Sequence, residues 1–181
     1  MNFHATAVEG AYVVEPERLA DERGFFARTF DSEAFRTQGL DPVITQSSIS
    51  FNRQKATLRG LHYQVAPYEE AKLVRCVHGA VFDVAVDLRP TSPTYLINCA
   101  VELTAENRLA LYVPAGCAHG YLTLEDSTEL EYGISQAYEP AATAGVRWDD
   151  PLFGIVWPET PHVISPQDAS YPDYRRITEH A

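Results

Sequence analysis

Val81-Phe82-Asp83-Val84-Ala85-Val86-Asp87-Leu88 reads with a period of two: Phe82, Val84, Val86 and Leu88 share one face, and Val81, Asp83, Ala85 and Asp87 share the other. One face is wholly apolar, as expected of a strand lying on a core. The run ends in Arg89-Pro90-Thr91-Ser92-Pro93, a turn by composition, and residues 95–101 start a further strand. Downstream, residues 109–113, 119–124 and 128–135 read as three strands joined by Pro114-Ala115-Gly116 and Glu125-Asp126-Ser127, which predicts a β-meander. Twelve prolines and ten glycines punctuate such runs throughout the chain, the pattern of an all-β sandwich or barrel. Helix is scarce. Its best candidate is residues 31–38, where Asp31 or Ser32 can cap the free amides and Gly39 offers a left-handed stop. Residues 141–181 lack a long periodic run and are expected to form loops and short elements over a barrel mouth, with Trp148 and Trp157 as packing residues.

The 181 residues, 45% apolar and 22% charged, are expected to form a single domain, 1–181. Lysine plus arginine number 14 against 25 acidic residues, a formal charge of −11, so a basic surface for nucleic acid is excluded. Only Lys55 and Lys72 are lysines. No run approaches the roughly 18 to 20 apolar residues of a membrane span, and the start lacks a basic segment followed by an apolar one. A cytoplasmic protein that engages no membrane is expected. Cys76, Cys99 and Cys117 are odd in number and form no Cys-x-x-Cys pair, so they predict buried reduced thiols rather than a disulfide framework or zinc site.

Polar residues on apolar strand faces mark the chemistry, because burying them is unfavourable unless something pairs with them. In Leu58-Arg59-Gly60-Leu61-His62-Tyr63-Gln64, strict alternation points Arg59 and His62 to opposite faces, whereas a bulge near Gly60 brings both into one cavity. Lys72 shares a face with Val74 and Cys76, so its ammonium needs a partner or must snorkel to a strand end. Tyr132, in phase with Leu130 and Ile134, points inward, as a core tyrosine or a working phenol. His119 follows the Pro114-Ala115-Gly116 turn and can face the same interior. A base, a phenol, a cation and a second histidine make a proton-transfer set. A metal-dependent cupin enzyme is an alternative, yet the His-x-His pair of such sites reads His62-Tyr63-Gln64 here, with Glu69 and Glu70 only loosely placed. A noncatalytic sugar-binding barrel is a third reading.

Asp21-Glu22-Arg23-Gly24-Phe25-Phe26, Leu58 to Gln64 as quoted, Lys72-Leu73-Val74, Phe82-Asp83-Val84-Ala85-Val86-Asp87-Leu88-Arg89, Pro114-Ala115-Gly116-Cys117-Ala118-His119-Gly120 and Trp148-Asp149-Asp150-Pro151 together closely resemble the dTDP-4-dehydrorhamnose 3,5-epimerase family. The resemblance implies a metal-independent, cupin-like jelly-roll β-barrel with a few short helices, no cofactor, and a homodimer that exchanges N-terminal strands. It implies a role in deoxysugar biosynthesis, on a dTDP-linked or other nucleotide-linked 4-keto sugar. By position, His62 is the implied base and Asp168 its dyad partner, Tyr132 the proton donor, and Lys72 the group that stabilises enolate charge. Arg23, Phe26, Arg28, Gln46, Ser48, Arg59 and His119 fall on substrate contacts, and Tyr138 stacks near the nucleotide base. Arg23, Arg59 and Lys72 are thereby expected around one cavity, with the excess carboxylates on the solvated surface.

Three departures concern recognition positions. Arg28 and Thr143 stand where many members carry glutamate, and Ser48 stands where an asparagine is expected. Inversion at C3, at C5 or at both, on this or another nucleotide-linked 4-keto sugar, is compatible with the motifs.

Overall fold

A computed structural model of the chain describes residues 1–176. In chain order its elements are β1 (Asn2–Ala5), β2 (Tyr12–Glu15), β3 (Arg18–Asp21), β4 (Gly24–Ala27), α1 (Ser32–Thr37), β5 (Gln46–Asn52), β6 (Thr57–Gln64), β7 (Lys72–His78), β8 (Ala80–Asp87), β9 (Asn98–Thr104), β10 (Ala110–Val113), β11 (Cys117–Thr123), β12 (Thr128–Ile134), β13 (Thr143–Gly145), β14 (Val163–Ile164) and α2 (Pro166–Ala169). One sheet runs β1-β2-β10-β7-β12-β5 and faces a second that runs β13-β6-β11-β8-β9, with β14 added parallel to β6. Among the described residues the β3–β4 hairpin pairs only with itself. This is the all-β, cupin-like jelly roll that the family resemblance implies.

The expected meander is absent. β10 and β12 both pair with β7 in the first sheet, whereas β11 lies between β6 and β8 in the second. The link Pro114-Ala115-Gly116, with Gly116 at φ +81°, reaches roughly 10 Å, enough to step between facing sheets. A tight turn in the sequence serves a hairpin or such a step equally well. The strand expected at residues 95–101 begins later, at Asn98, because Leu96 takes φ +67° and its amide donates to the Asp87 carbonyl at 2.8 Å.

β8 also turns its faces the unexpected way. Val81 and Ala85 enter the interior between the sheets, packed with Val74, Leu103, Leu111 and Leu130, and they carry Asp83 inward with them. The wholly apolar face, Phe82, Val84, Val86 and Leu88, points outward under Val146, Phe153 and Trp157. Residues 146–174 thus roof the second sheet, and both faces of β8 are buried. Trp148 and Trp157 meet edge to face at 6.2 Å, and the Trp157 Nε1–H donates to the Trp148 carbonyl.

On the far side, α1 covers the first sheet. Asp31 caps it by accepting from the Glu33 and Ala34 amides, and Phe35 packs on Phe3, Phe30 and Tyr112. Burying one such ring contributes roughly 1.5–3 kcal/mol. The carboxylates do not all stay in solvent: Glu70, Asp83, Asp87, Asp150 and Asp168 are buried. Asp87 is held by Arg89, Ser92 and Thr94, and three of the other four serve the cavity described next. Cys76, Cys99 and Cys117 are buried and free, and burial pushes the Cys76 and Cys117 thiols up to about 11 and about 12.

Candidate active site

The β6–β11 register runs His119↔His62 and then Tyr121↔Arg59, so three steps of β6 oppose two of β11. The extra residue lies at Gly60, φ +129°. A Cβ there would stand 2.6 Å from the Gly120 Cα, and one on Gly120 would stand 2.7 Å from the Arg59 carbonyl oxygen. The paired glycines let two backbones close where side chains would hold them apart. The bulge breaks the alternation, and Arg59 and His62 line the same cavity, of about 860 Å³, at one end of the space between the sheets. Lys72 and Tyr132 from the first sheet line it as well, with His119 from the second and Asp168 from α2.

Asp168 Oδ1 lies 2.7 Å from His62 Nε2, and its Oδ2 accepts from the Gly60 amide at 3.1 Å. Burial pushes this carboxyl up, but the bonds from His62, Gly60 and Ser165 outweigh it and hold Asp168 below the usual carboxylate range. α2 is fixed by its own cap, the Ser165 hydroxyl accepting from the Asp168 amide. Tyr171 stands edge-on to His62 at 6.3 Å, in the space that Gly145 leaves open. His119 Nε2 lies 2.9 Å from Asp83 Oδ1, deep between the sheets.

Lys72 donates to the His62 carbonyl and meets Glu70 Oε1, each at 3.1 Å. Desolvation lowers its pKa, opposed by Glu70 and Asp83. Burial raises the Tyr132 phenol well above its ordinary value, with Tyr121 and Asp83 acting in the same direction, so it stays protonated at neutral pH. Its ring meets His119 edge to face at 6.1 Å. A base backed by a carboxylate, a protonated phenol and a buried cation around one cavity can move protons at carbon and hold negative charge on oxygen.

The remaining sequence candidates divide. Ser48, the register partner of Tyr132 on the neighbouring strand, lines the cavity beside it, and Tyr138 stands exposed at the mouth. Gln46 is set back: its Oε1 accepts from the Tyr138 amide at 2.9 Å and so holds that loop. Arg59 is aimed by Asn52 Oδ1 at 2.8 Å and by the Phe51 carbonyl at 3.3 Å. Arg23, Phe26 and Arg28 lie outside this chain's cavity, on and beside the β3–β4 hairpin, so Arg23 does not join Arg59 and Lys72 as expected. The reason is topological, since the hairpin pairs with neither sheet. Arg23 is instead paired with Asp21, and Arg28 with Asp31. Gln64, at the position of the second cupin histidine, donates to the Tyr68 and Ala137 carbonyls and accepts from the Glu139 amide. Its side chain is spent on the loop.

The family model for dTDP-4-dehydrorhamnose 3,5-epimerase matches residues 5–176. The chain belongs to this family. A dTDP-4-dehydrorhamnose 3,5-epimerase of Sinorhizobium fredii is 41% identical over 173 residues, covering 95% of this chain and 89% of the relative. The crystal structure of the Elizabethkingia anophelis dTDP-4-dehydrorhamnose 3,5-epimerase superposes with a TM-score of 0.92 at 35% identity, over 96% of each chain. A 3′-monoepimerase from Streptomyces bikiniensis in complex with dTDP-quinovose superposes at 0.85 and 36% identity, over 93% of this chain and 86% of that one.

Several residues of this epimerase-family site escape the sequence reading. Asp83 is visible as the one acid flanked by Val81 and Ala85, and a polar residue on a core-facing position is a usable signal. Asn52 and Tyr121, which share a hydrogen bond and support Arg59, look in sequence like a strand end and a core aromatic. Glu70 is read only as a loosely placed metal candidate and is in fact the buried partner of Lys72.

Proposed function

We propose that the protein is a nucleotide-sugar epimerase of deoxysugar biosynthesis, converting dTDP-4-dehydro-6-deoxy-D-glucose to dTDP-4-dehydro-L-rhamnose. The observation that carries this reading is the convergence of the His62–Asp168 pair, Lys72 and Tyr132 on one cavity, in a chain that the family model spans almost end to end. A ketone at C4 acidifies the C3 and C5 hydrogens, because the electron pair left on carbon delocalises onto the ketone oxygen. His62 takes the proton from carbon, Asp168 stabilises the imidazolium and fixes the tautomer, and Lys72 faces the enolate oxygen. Tyr132 returns a proton on the opposite face of the ring, and inversion follows. The step is redox-neutral, so it consumes no hydride carrier.

Arg59 suits bidentate contact with the diphosphate, His119 and Ser48 contact the sugar end, and Tyr138 stacks on the base. The working unit is a homodimer. Leu19, Phe26 and Ile49 are 62%, 65% and 69% exposed, an apolar surface on the hairpin and on the edge strand β5 that a second copy would cover. In that dimer Arg23, Phe26 and Arg28 of each hairpin reach the nucleotide end of the other copy's cavity. Arg28, Ser48 and Thr143 then tune which nucleotide sugar is accepted.

The likeness to a 3′-monoepimerase favours a second reading, inversion at C3 alone. Incubating the protein with dTDP-4-dehydro-6-deoxy-D-glucose in D2O separates the two by NMR. Deuterium at C3 and C5 with the L-rhamno product is expected; deuterium confined to C3 supports the second reading, and no exchange overturns both.

A further inference from the structure

Glu70 sits just ahead of β7 with its side chain 7% exposed and Oε1 3.1 Å from Lys72 Nζ. Its other oxygen, Oε2, is buried without a hydrogen-bond partner among the described residues. A carboxylate buried on those terms adds little to stability, since desolvating the pair offsets most of the attraction and the unpaired oxygen adds a further penalty. The arrangement calls for a reason in the chemistry. The Lys72 ammonium has three protons: one goes to Glu70, one to the His62 carbonyl, and one is left for the cavity.

We infer that Glu70 is a positioning residue for the proposed reaction: it holds the Lys72 ammonium charged and aimed at the cavity, where the enolate oxygen forms. This inference rests on the epimerase reading for its kinetic consequence but not for its physical one. Removing the charge of Glu70 leaves the Lys72 ammonium desolvated with Asp83 as its remaining anionic neighbour, and the neutral amine gains ground. The other titratable or charged groups lining the cavity are Arg59, His62 and Tyr63 on β6, His119 and Tyr121 on β11, Tyr132 on β12, and Tyr138, Asp168 and Tyr171; the further carboxylate, Asp168, is taken up by His62 and the Gly60 amide.

The sequence has two lysines, so protein carrying 13C-labelled lysine gives two Cε signals, assigned by Lys55→Arg. Lys55 pairs with Glu159 at the surface and serves as the reference. In Glu70→Gln the Lys72 titration midpoint is expected to fall by about one unit or more, while Lys55 stays where it is. Glu70→Asp, which keeps a carboxylate, recovers at least part of the shift. On the substrate that the wild type turns over, kcat of Glu70→Gln falls about tenfold or more at neutral pH with KM nearly unchanged, and the alkaline limb of its pH profile moves to lower pH. An unmoved Lys72 midpoint in a folded Glu70→Gln protein overturns the inference, whether or not the wild type proves to be an epimerase. A wild type that leaves every substrate proton in place while the midpoint shifts as expected defeats the epimerase reading and leaves the charge-holding role standing.

Discussion

His62 and His119 make the same contact in two different settings. Each gives Nε2 to a carboxylate, Asp168 at 2.7 Å and Asp83 at 2.9 Å. The His62 side chain is 39% exposed on the cavity wall, whereas that of His119 is 4% exposed and its partner is fully buried. Asp83 belongs to β8, the strand paired with β11, so the His119 pair is built by the sheet itself. Asp168 arrives from a short helix far along the chain, so the His62 pair is completed by the segment that closes over the second sheet. Both imidazoles line the cavity, but His62 is the one open enough to trade protons with a substrate. The other is a fixed polar post in the core, suited to orienting a ligand.

Removing each carboxylate should therefore break different things. Asp168→Ala is expected to lower kcat by about 10²- to 10⁴-fold, the range for a positioned base robbed of its orienting partner, with a modest change in stability. Asp83→Ala should act first on folding, lowering stability by about 1–3 kcal/mol because His119 loses its partner where no solvent replaces it. Parallel kinetics and urea titrations check this, and equal losses of stability from the two variants would erase the distinction.

A smaller effect appears in acid. Asp168 titrates below its unfolded value near 3.9. Its contribution to stability is complete above that value and is lost as pH falls through the lower folded-state value. Asp168→Asn should accordingly flatten the decline of unfolding free energy below about pH 4; an unchanged acid limb would remove the His62 pair from the stability balance.

How much of this was legible follows the same division. Alternation in residues 81–88 and the spacing of prolines and glycines point to an all-β sandwich or barrel, and Gly60 offers a bulge as one of two readings, which the β6–β11 register decides. Alternation could not say which face of β8 is the interior. The apolar face is roofed by residues far downstream, and the face bearing Asp83 turns inward because His119 meets it there. Sheet membership of β10, β11 and β12 was hidden for a related reason, since a short turn does not reveal whether it folds back or steps across. The apolar face around Lys72 shows that its ammonium needs a partner, but Glu70 lies in a loop without periodicity, where nothing marks it as pointing inward. The hairpin carrying Arg23 and Phe26 shows the limit of a motif match, because a motif does not report that the hairpin joins neither sheet.

If His62 is the proton-abstracting base, solvent exchange at C3 and C5 depends on it, and exchange tests that role most directly. Wild type, His62→Ala and His119→Ala are incubated with dTDP-4-dehydro-6-deoxy-D-glucose in D2O, and loss of the C3 and C5 proton signals is followed by NMR at saturating substrate. The account predicts exchange by the wild type, slower but measurable exchange by His119→Ala, and none above background by His62→Ala in a protein that keeps its fold. Exchange that survives in His62→Ala and vanishes in His119→Ala would contradict it.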